Sequence, residues 1–225
     1  MSINSTLEGS SAQARAMDKM YGLQRHFYDV SRAYYLLGRD DLIKALHPPK
    51  GGTVLEMGCG TGRNLVAAAK HYPDAKFFGF DISTAMLETA GRAVQRNDLL
   101  GQVKLAQADA ADFSATKTFG LQNFDRVFFS YTLSMIPAWQ MAIEQGYRAL
   151  KPGGELHIVD FGNCERLPAI IKPVLYAWLY RFHVTPRQDL GKALQDHRAK
   201  TGAEVSIRPL FRGYAMAAEV AKPAA

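Results

Sequence analysis

Between Ala14 and Leu37 the large apolar residues fall at Met17, Met20, Tyr21, Phe27, Tyr28, Tyr34 and Tyr35. Spacings of three, four and seven predict a helix rather than a strand. Leu23, Val30 and Leu37 widen the stripe, and Arg15, Lys19, Arg25 and Arg32 accompany it. Gly38 supplies an end to this helix, and Asp40 to Leu46 reads as another short one, stopped by Pro48 and Pro49. From Thr53 onward, short β-branched and apolar runs alternate with helical ones. The predicted strands are Thr53 to Met57, Lys76 to Phe80, Val103 to Ala106, Phe124 to Phe129 and Leu156 to Asp160. Asn64 to His71, Ser83 to Gln95 and Ala138 to Leu150 are predicted helices, and Lys151-Pro152-Gly153-Gly154 a tight turn. Such alternation implies an α/β protein with a parallel sheet and helices on both faces. The tail changes character. Leu167 to Val184 is strongly apolar and aromatic, a polar helix follows near Gln188 to Thr201, and Glu204 to Leu210 and Tyr214 to Val220 are close enough to form an antiparallel hairpin.

A chain of 225 residues is one large domain or one domain with decorated ends. Three parts are expected: a disordered, Ser-rich leader over 1–13, an N-terminal helical cap over 14–50, and the main domain over 51–225 with an apolar insertion near 167–184. Two cysteines, Cys59 and Cys164, are too few for a disulfide framework and point to a reducing cytoplasm. No apolar run reaches the ~20 residues of a membrane-spanning helix. The net charge of +6 is unevenly placed: residues 1–50 and 161–225 together carry +7, and residues 51–160 carry −1. Basic flanks around a neutral middle suit an anionic partner surface.

The strongest chemical signal is Val54-Leu55-Glu56-Met57-Gly58-Cys59-Gly60-Thr61-Gly62, which ends a buried strand and opens a helix. Glycines there let the backbone turn sharply and approach a ligand, and the helix N-terminus offers free N–H groups. Asp81, at the end of the next strand, can accept both hydroxyls of a ribose. Glu56 is placed to attract a cationic amino group, and Asp109, after the third strand, to accept from an adenine amino group beside the Ala110 N–H. Ser130 and Tyr131 end the fourth strand, on the edge where such sheets bind ligands. His157 reads as a packed strand histidine.

Together, residues 50 to 162 resemble the class I S-adenosylmethionine-dependent methyltransferases. The resemblance implies a Rossmann-like methyltransferase fold: a mostly parallel seven-stranded sheet with a C-terminal antiparallel hairpin and an N-terminal helical cap. It implies that Glu56, Gly58, Gly60, Asp81, Ile82, Asp109, Ala110 and Ser130 contact S-adenosylmethionine, and it calls for no metal. A dinucleotide-binding fold is the alternative, but it expects Gly-x-Gly-x-x-Gly, and the residue three past Gly60 is Arg63. Enzymes that methylate nucleic-acid base amines carry an Asn/Asp-Pro-Pro-aromatic motif where this chain has Ser130-Tyr131-Thr132-Leu133, so a nucleic-acid partner is not expected.

The flanking runs Arg25-His26-Phe27-Tyr28-Asp29, Tyr34-Tyr35-Leu36-Leu37-Gly38-Arg39-Asp40, Phe182-His183-Val184-x-Pro186-Arg187 and Arg212-Gly213-Tyr214-Ala215 extend the likeness. With them the chain resembles bacterial lipid-headgroup N-methyltransferases, and most nearly the diacylglyceryl-homoserine N-methyltransferases of betaine-lipid synthesis. That resemblance implies three successive methylations of a homoserine amine. Tyr28, Tyr35 and Tyr131 are expected near the methyl donor, orienting the amine and tolerating its growing cationic charge. Arg39 is expected to pair with the headgroup carboxylate, and Asp160 and His183 to touch the substrate. The implied partners are a lipid substrate at an anionic membrane surface and the enzyme that makes the homoserine lipid. The implied location is the cytoplasm, peripherally on the inner face of the membrane. Phosphatidylethanolamine N-methylation, a soluble small-molecule methyltransferase and a non-catalytic cofactor-binding subunit are the competing readings.

Overall fold

The computed structural model describes residues 36–224. Seven strands form one sheet: β1 (Thr53–Met57), β2 (Lys76–Asp81), β3 (Val103–Gln107), β4 (Phe124–Ser130), β5 (Leu150–Phe161), β6 (Glu204–Leu210) and β7 (Ala215–Ala221). Their spatial order is β3-β2-β1-β4-β5-β7-β6. The first five are parallel, and β7 runs antiparallel to both β5 and β6. The expected sheet and its terminal hairpin are therefore present. The predicted helical cap lies mainly outside the described residues. Its described part is α1 (Arg39–Ala45), which Gly38 opens at φ 83.

The strands are nearly continuous hydrophobic runs because both faces are covered. One face packs Leu55, Phe78, Val127 and Phe129 under α4 (Ala115–Phe119), α5 (Trp139–Arg148) and α7 (Leu190–Thr201). The other packs Val54, Phe77, Phe128 and Val159 under α1, α2 (Arg63–His71), α3 (Thr84–Arg96) and α6 (Ile171–Tyr180). Alternate residues of one strand thus feed opposite cores, as the two-residue period requires. Local signals place the helix ends: the Ser83 hydroxyl accepts from the Met86 N–H at 3.3 Å, and Gly202, at φ 70, closes α7.

Two elements differ from the sequence expectation. The turn at Lys151–Gly154 lies inside β5 as a bulge: Phe124 pairs with Leu150 but Arg126 pairs with Glu155. The Gly153 N–H, at φ 73, donates to carbonyls of Lys222 and Pro223, so the extra residues are tied down by the tail. The short helix α4 was not foreseen because five residues leave too few turns for a periodic pattern.

Candidate active site

The chain leaves β1 toward β2 on one side and pairs with β4 on the other, so the strand order reverses at the β1–β4 boundary. Such a switch point opens a crevice at the carboxyl ends of the strands. Here the glycine loop crosses it. Gly58, Gly60 and Gly62 have φ of 75, 53 and 76, values an L side chain rarely adopts. The N–H groups of Gly58 and Cys59 both donate to the Phe80 carbonyl, at 2.9 and 2.8 Å, which stitches the loop to the end of β2.

Asp81 completes that stitch. One carboxylate oxygen accepts from the Gly60 N–H at 2.8 Å and the other from the Ser83 N–H at 2.9 Å. It therefore organises the loop as well as presenting charge to the crevice. Glu56 is buried one turn deeper. Its Oε1 accepts from the Asn64 side-chain amide at 2.8 Å, while Oε2 is buried with no partner. Burial raises its pKa to about 8 against the opposing Asn64 hydrogen bond, with the neighbouring Asp81 charge pushing the same way. Asp109 caps a short 3-10 helix by accepting from the Ala111 N–H at 2.9 Å, which sets Ala110 at the crevice wall. The Ser130 hydroxyl at the end of β4 is also buried without a partner.

The opposite wall is apolar. Tyr131 sits at φ 55, a strained conformation for an aromatic residue. Its hydroxyl donates to the Leu37 carbonyl at 2.7 Å, and burial pushes the phenol well above its ordinary pKa. The residue expected to offer its hydroxyl to the amine instead spends that donor on the segment leading into α1. Its ring packs edge-on against Phe161, at 4.8 Å between centroids. Arg39 is buried at the same wall, its Nε donating to the Leu36 carbonyl at 3.0 Å. Asp40, next along the chain, pairs with Arg63 at 3.3 Å.

Behind this wall lies a clamp that sequence reasoning missed. The Asp160 carboxylate accepts from the Ser134 and Phe161 N–H groups, at 3.1 and 2.8 Å. Burial raises its pKa to about 6 despite those bonds. Arg187 donates to the Leu133 and Ile136 carbonyls at 2.9 and 2.7 Å, and the Thr185 N–H donates to the Ser134 carbonyl at 2.8 Å. The loop over 132–136, which carries Thr132, Met135 and Ile136 to the crevice, is therefore held at both ends.

All of these walls enclose one cleft of about 410 Å³. Glu56, Gly58, Gly60, Asp81, Ile82, Asp109, Ala110, Ser130, Tyr131 and Arg39 line it together. Asp160 does not line it: it stands behind the 132–136 loop as a positioning group. His183, exposed at φ 56 in the turn after α6, is also off the wall. Neither is among the cleft-lining residues: the Asp160 carboxylate, in β5, is taken up by the Ser134 and Phe161 N–H groups, and His183 sits in the turn after α6. Tyr28 and Tyr35 lie outside the described residues. S-adenosylmethionine fits what is here: two buried polar atoms without partners, carboxylates spaced from β1 to β3, and a Gly60 position whose missing Cβ leaves open space. Asn64 was also missed, although its place in the first turn after the glycine loop returns it toward Glu56. Arg187 was visible only as the end of a flanking motif; its role was not, because its partners lie 51 and 54 positions away.

A family model described as a methyltransferase domain matches residues 48–195. The chain is 33% identical over 170 residues to a ubiquinone/menaquinone biosynthesis C-methyltransferase of Rhodopseudomonas palustris, covering 70% of this chain and 60% of that one. It is 30% identical over 123 residues to a demethylmenaquinone methyltransferase of Lactobacillus johnsonii, covering 54% of this chain and 49% of that one. The chain spans between 49% and 62% of the length of three such curated relatives. Among solved structures, an O-methyltransferase family protein from Burkholderia thailandensis superposes with a TM-score of 0.69 at 18% identity, over 87% of this chain and 59% of that one. Phosphoethanolamine N-methyltransferase 2 of Haemonchus contortus, solved with S-adenosyl-L-methionine, gives 0.66 at 18%, over 82% and 52%. At these identities the structures speak to the fold alone.

Proposed function

Since this chain belongs to the methyltransferase-domain family, we propose that it uses S-adenosylmethionine to methylate an amine on a lipid headgroup, successively on diacylglyceryl-homoserine. The observation that carries the donor assignment is the pair of partnerless buried atoms, Glu56 Oε2 and Ser130 Oγ, on one cleft with Asp81. When bound, the cofactor supplies a methyl already activated on a sulfonium, so the protein's task is alignment and exclusion of water. Glu56, held by Asn64, takes the cationic amino end. Asp81 takes the ribose hydroxyls while keeping the glycine loop in place, and Asp109 and Ala110 take the adenine edge. Ile82 flanks the ribose position. Tyr131, Thr132 and Met135 form the acceptor side. The buried guanidinium of Arg39 at that wall supports an acceptor carrying a carboxylate near its amine.

A second reading rests on the relatives, of which some are named as C-methyltransferases of ubiquinone/menaquinone biosynthesis and others as demethylmenaquinone methyltransferases: transfer to a carbon of a quinone precursor. Mass spectrometry separates the two. Purified protein and S-adenosylmethionine are incubated with vesicles holding diacylglyceryl-homoserine, phosphatidylethanolamine and a demethylated quinone in competition. Gains of one, two and three methyls on the homoserine lipid are expected. Methylation of phosphatidylethanolamine alone keeps the headgroup chemistry and changes the substrate; methylation of the quinone alone replaces the reading.

A further inference from the structure

Thr132 touches the donor side and the acceptor side of the cleft at once. It stands just before the short 3-10 turn Leu133–Met135, and the Met135 N–H donates to its carbonyl at 2.9 Å. Its γ-methyl fills the space that a Cβ on Gly58 would need. Its hydroxyl lies 3.3 Å from the Gly58 carbonyl and 3.2 Å from the Ser130 carbonyl. A threonine hydroxyl carries one proton, so it donates fully to only one of the two at a time. One choice ties the turn to the glycine loop, 74 positions away along the chain. The other rests it on its own strand. Near-equal distances leave that choice to a small bias.

A line of bonded groups running from the ribose position supplies the bias. Asp81 holds the Gly60 N–H, and Phe80, one residue earlier, accepts from the Cys59 N–H at 2.8 Å. That N–H and the Gly58 carbonyl belong to one planar peptide group and point opposite ways. Fixing one end of the peptide therefore aims the other at Thr132, and hydrogen bonds in line polarise and strengthen one another. A ligand laid along the loop and Asp81 settles this peptide. Beyond Thr132, the turn carries Met135 and Ile136 to the cleft, and Asp160 and Arg187 already hold its far end. The near end is the one with two settings.

We propose that Thr132 is a positioning residue that couples the two halves of the cleft through its hydroxyl. When the donor site is filled, the hydroxyl goes to Gly58 and the turn over 133–135 tightens; when the site is empty, it returns to Ser130 and the turn loosens. This rests on the donor assignment above and on no particular acceptor. The consequence is an order of events: the acceptor wall is complete only once a methyl donor is present. By reciprocity, whatever occupies that wall tightens the hold on the donor.

Hydrogen exchange of the full chain, read by mass spectrometry with and without saturating S-adenosylhomocysteine, tests the coupling. Peptides spanning 132–137 report the Ser134 and Met135 amides, which donate to Asp160 and Thr132. In the wild type their exchange is expected to slow about tenfold on binding, an ordinary size for coupling between sites. Thr132→Val keeps the shape and the methyl seat but has no hydroxyl. There the slowing at 134–135 is expected to vanish while that at 58–62 stays. Thr132→Ser keeps the hydroxyl and is expected to restore it. Three results overturn the proposal: wild-type protection confined to the glycine loop, protection at 134–135 undiminished by valine, or protection lost equally in the serine variant. The first needs no variant, so a valine protein that fails to fold does not shelter the idea. If calorimetry shows no S-adenosylhomocysteine binding to the wild type, the donor assignment falls together with the coupling. Binding that leaves 134–135 unchanged overturns the coupling alone.

Discussion

At the scale of single residues, two carboxylates on neighbouring strands do different work. Asp81 holds two backbone N–H groups of the glycine loop and β2 turn, so Asp81→Ala unties the loop and removes the proposed ribose acceptor. Charge-assisted hydrogen bonds contribute ~1.5–3 kcal/mol each, so calorimetry is expected to show cofactor affinity lowered by roughly a hundredfold or more. Glu56 is neutral at pH 7 because burial lifts its pKa to about 8. A bound ammonium favours the ionised carboxylate, so cofactor binding near neutrality is expected to release a proton. Calorimetry in two buffers of different ionisation enthalpy reads that proton directly, and Glu56→Gln is expected to abolish it. The same raised pKa sets a stability trend. The folded protein binds more protons than the unfolded chain between pH 4.5 and about 8, so stability present below that window is lost as pH rises through it. Asp160 adds a like trend between 3.8 and about 6. Thermal melts of the cofactor-free protein are expected to fall across this range, and less steeply for Glu56→Gln.

At the scale of elements, the glycine loop and the 132–136 loop face each other and tolerate little change. A Cβ on Gly58 would collide with the Thr132 side-chain methyl, at a φ of 75 that already disfavours one. Gly58→Ala is expected to fold with loss of cofactor affinity or not to fold, with circular dichroism and calorimetry deciding which. Arg187 acts from farther off. Arg187→Met leaves two loop carbonyls without their donor, a loss of ~1–3 kcal/mol each where the group stays buried. Hydrogen exchange is expected to quicken at 133–137, and kcat/KM for the acceptor to fall tenfold or more while cofactor affinity holds. A matching fall in cofactor affinity would mean that the clamp supports the whole cleft rather than its acceptor wall.

At the scale of the molecule, both cores rest on one sheet, and the cleft lies where that sheet's strand order reverses. The five parallel strands and the helices between them, the short α4 apart, were legible in the chain because their signals are local, and the expected donor residues line one cleft. Hydrophobic period, glycine spacing and an acid at a strand end each act within a few residues, and the right-handed crossover then places successive strand ends on one edge. The acceptor wall was legible only in part. Tyr131, expected near the methyl donor, and Arg39, expected at the substrate, both line the cleft, but the commitment of the Tyr131 hydroxyl to Leu37 depends on a contact 94 positions away. Arg187 stood in the sequence only as the end of a flanking motif, and Asp160 only as an expected substrate contact; that both hold the 132–136 loop depends on partners 26, 51 and 54 positions away, which no short-range pattern encodes. The apolar run at 167–184 showed its greasiness in sequence, but only the packing of Tyr176 and Leu179 decided which side of α6 turns inward. Sequence by itself thus determined the element order and the donor chemistry, since both follow from neighbours along the chain. Tertiary structure alone decided the wall around Tyr131, its clamp and the buried face of α6, since each is set by which distant groups exclude water from one another.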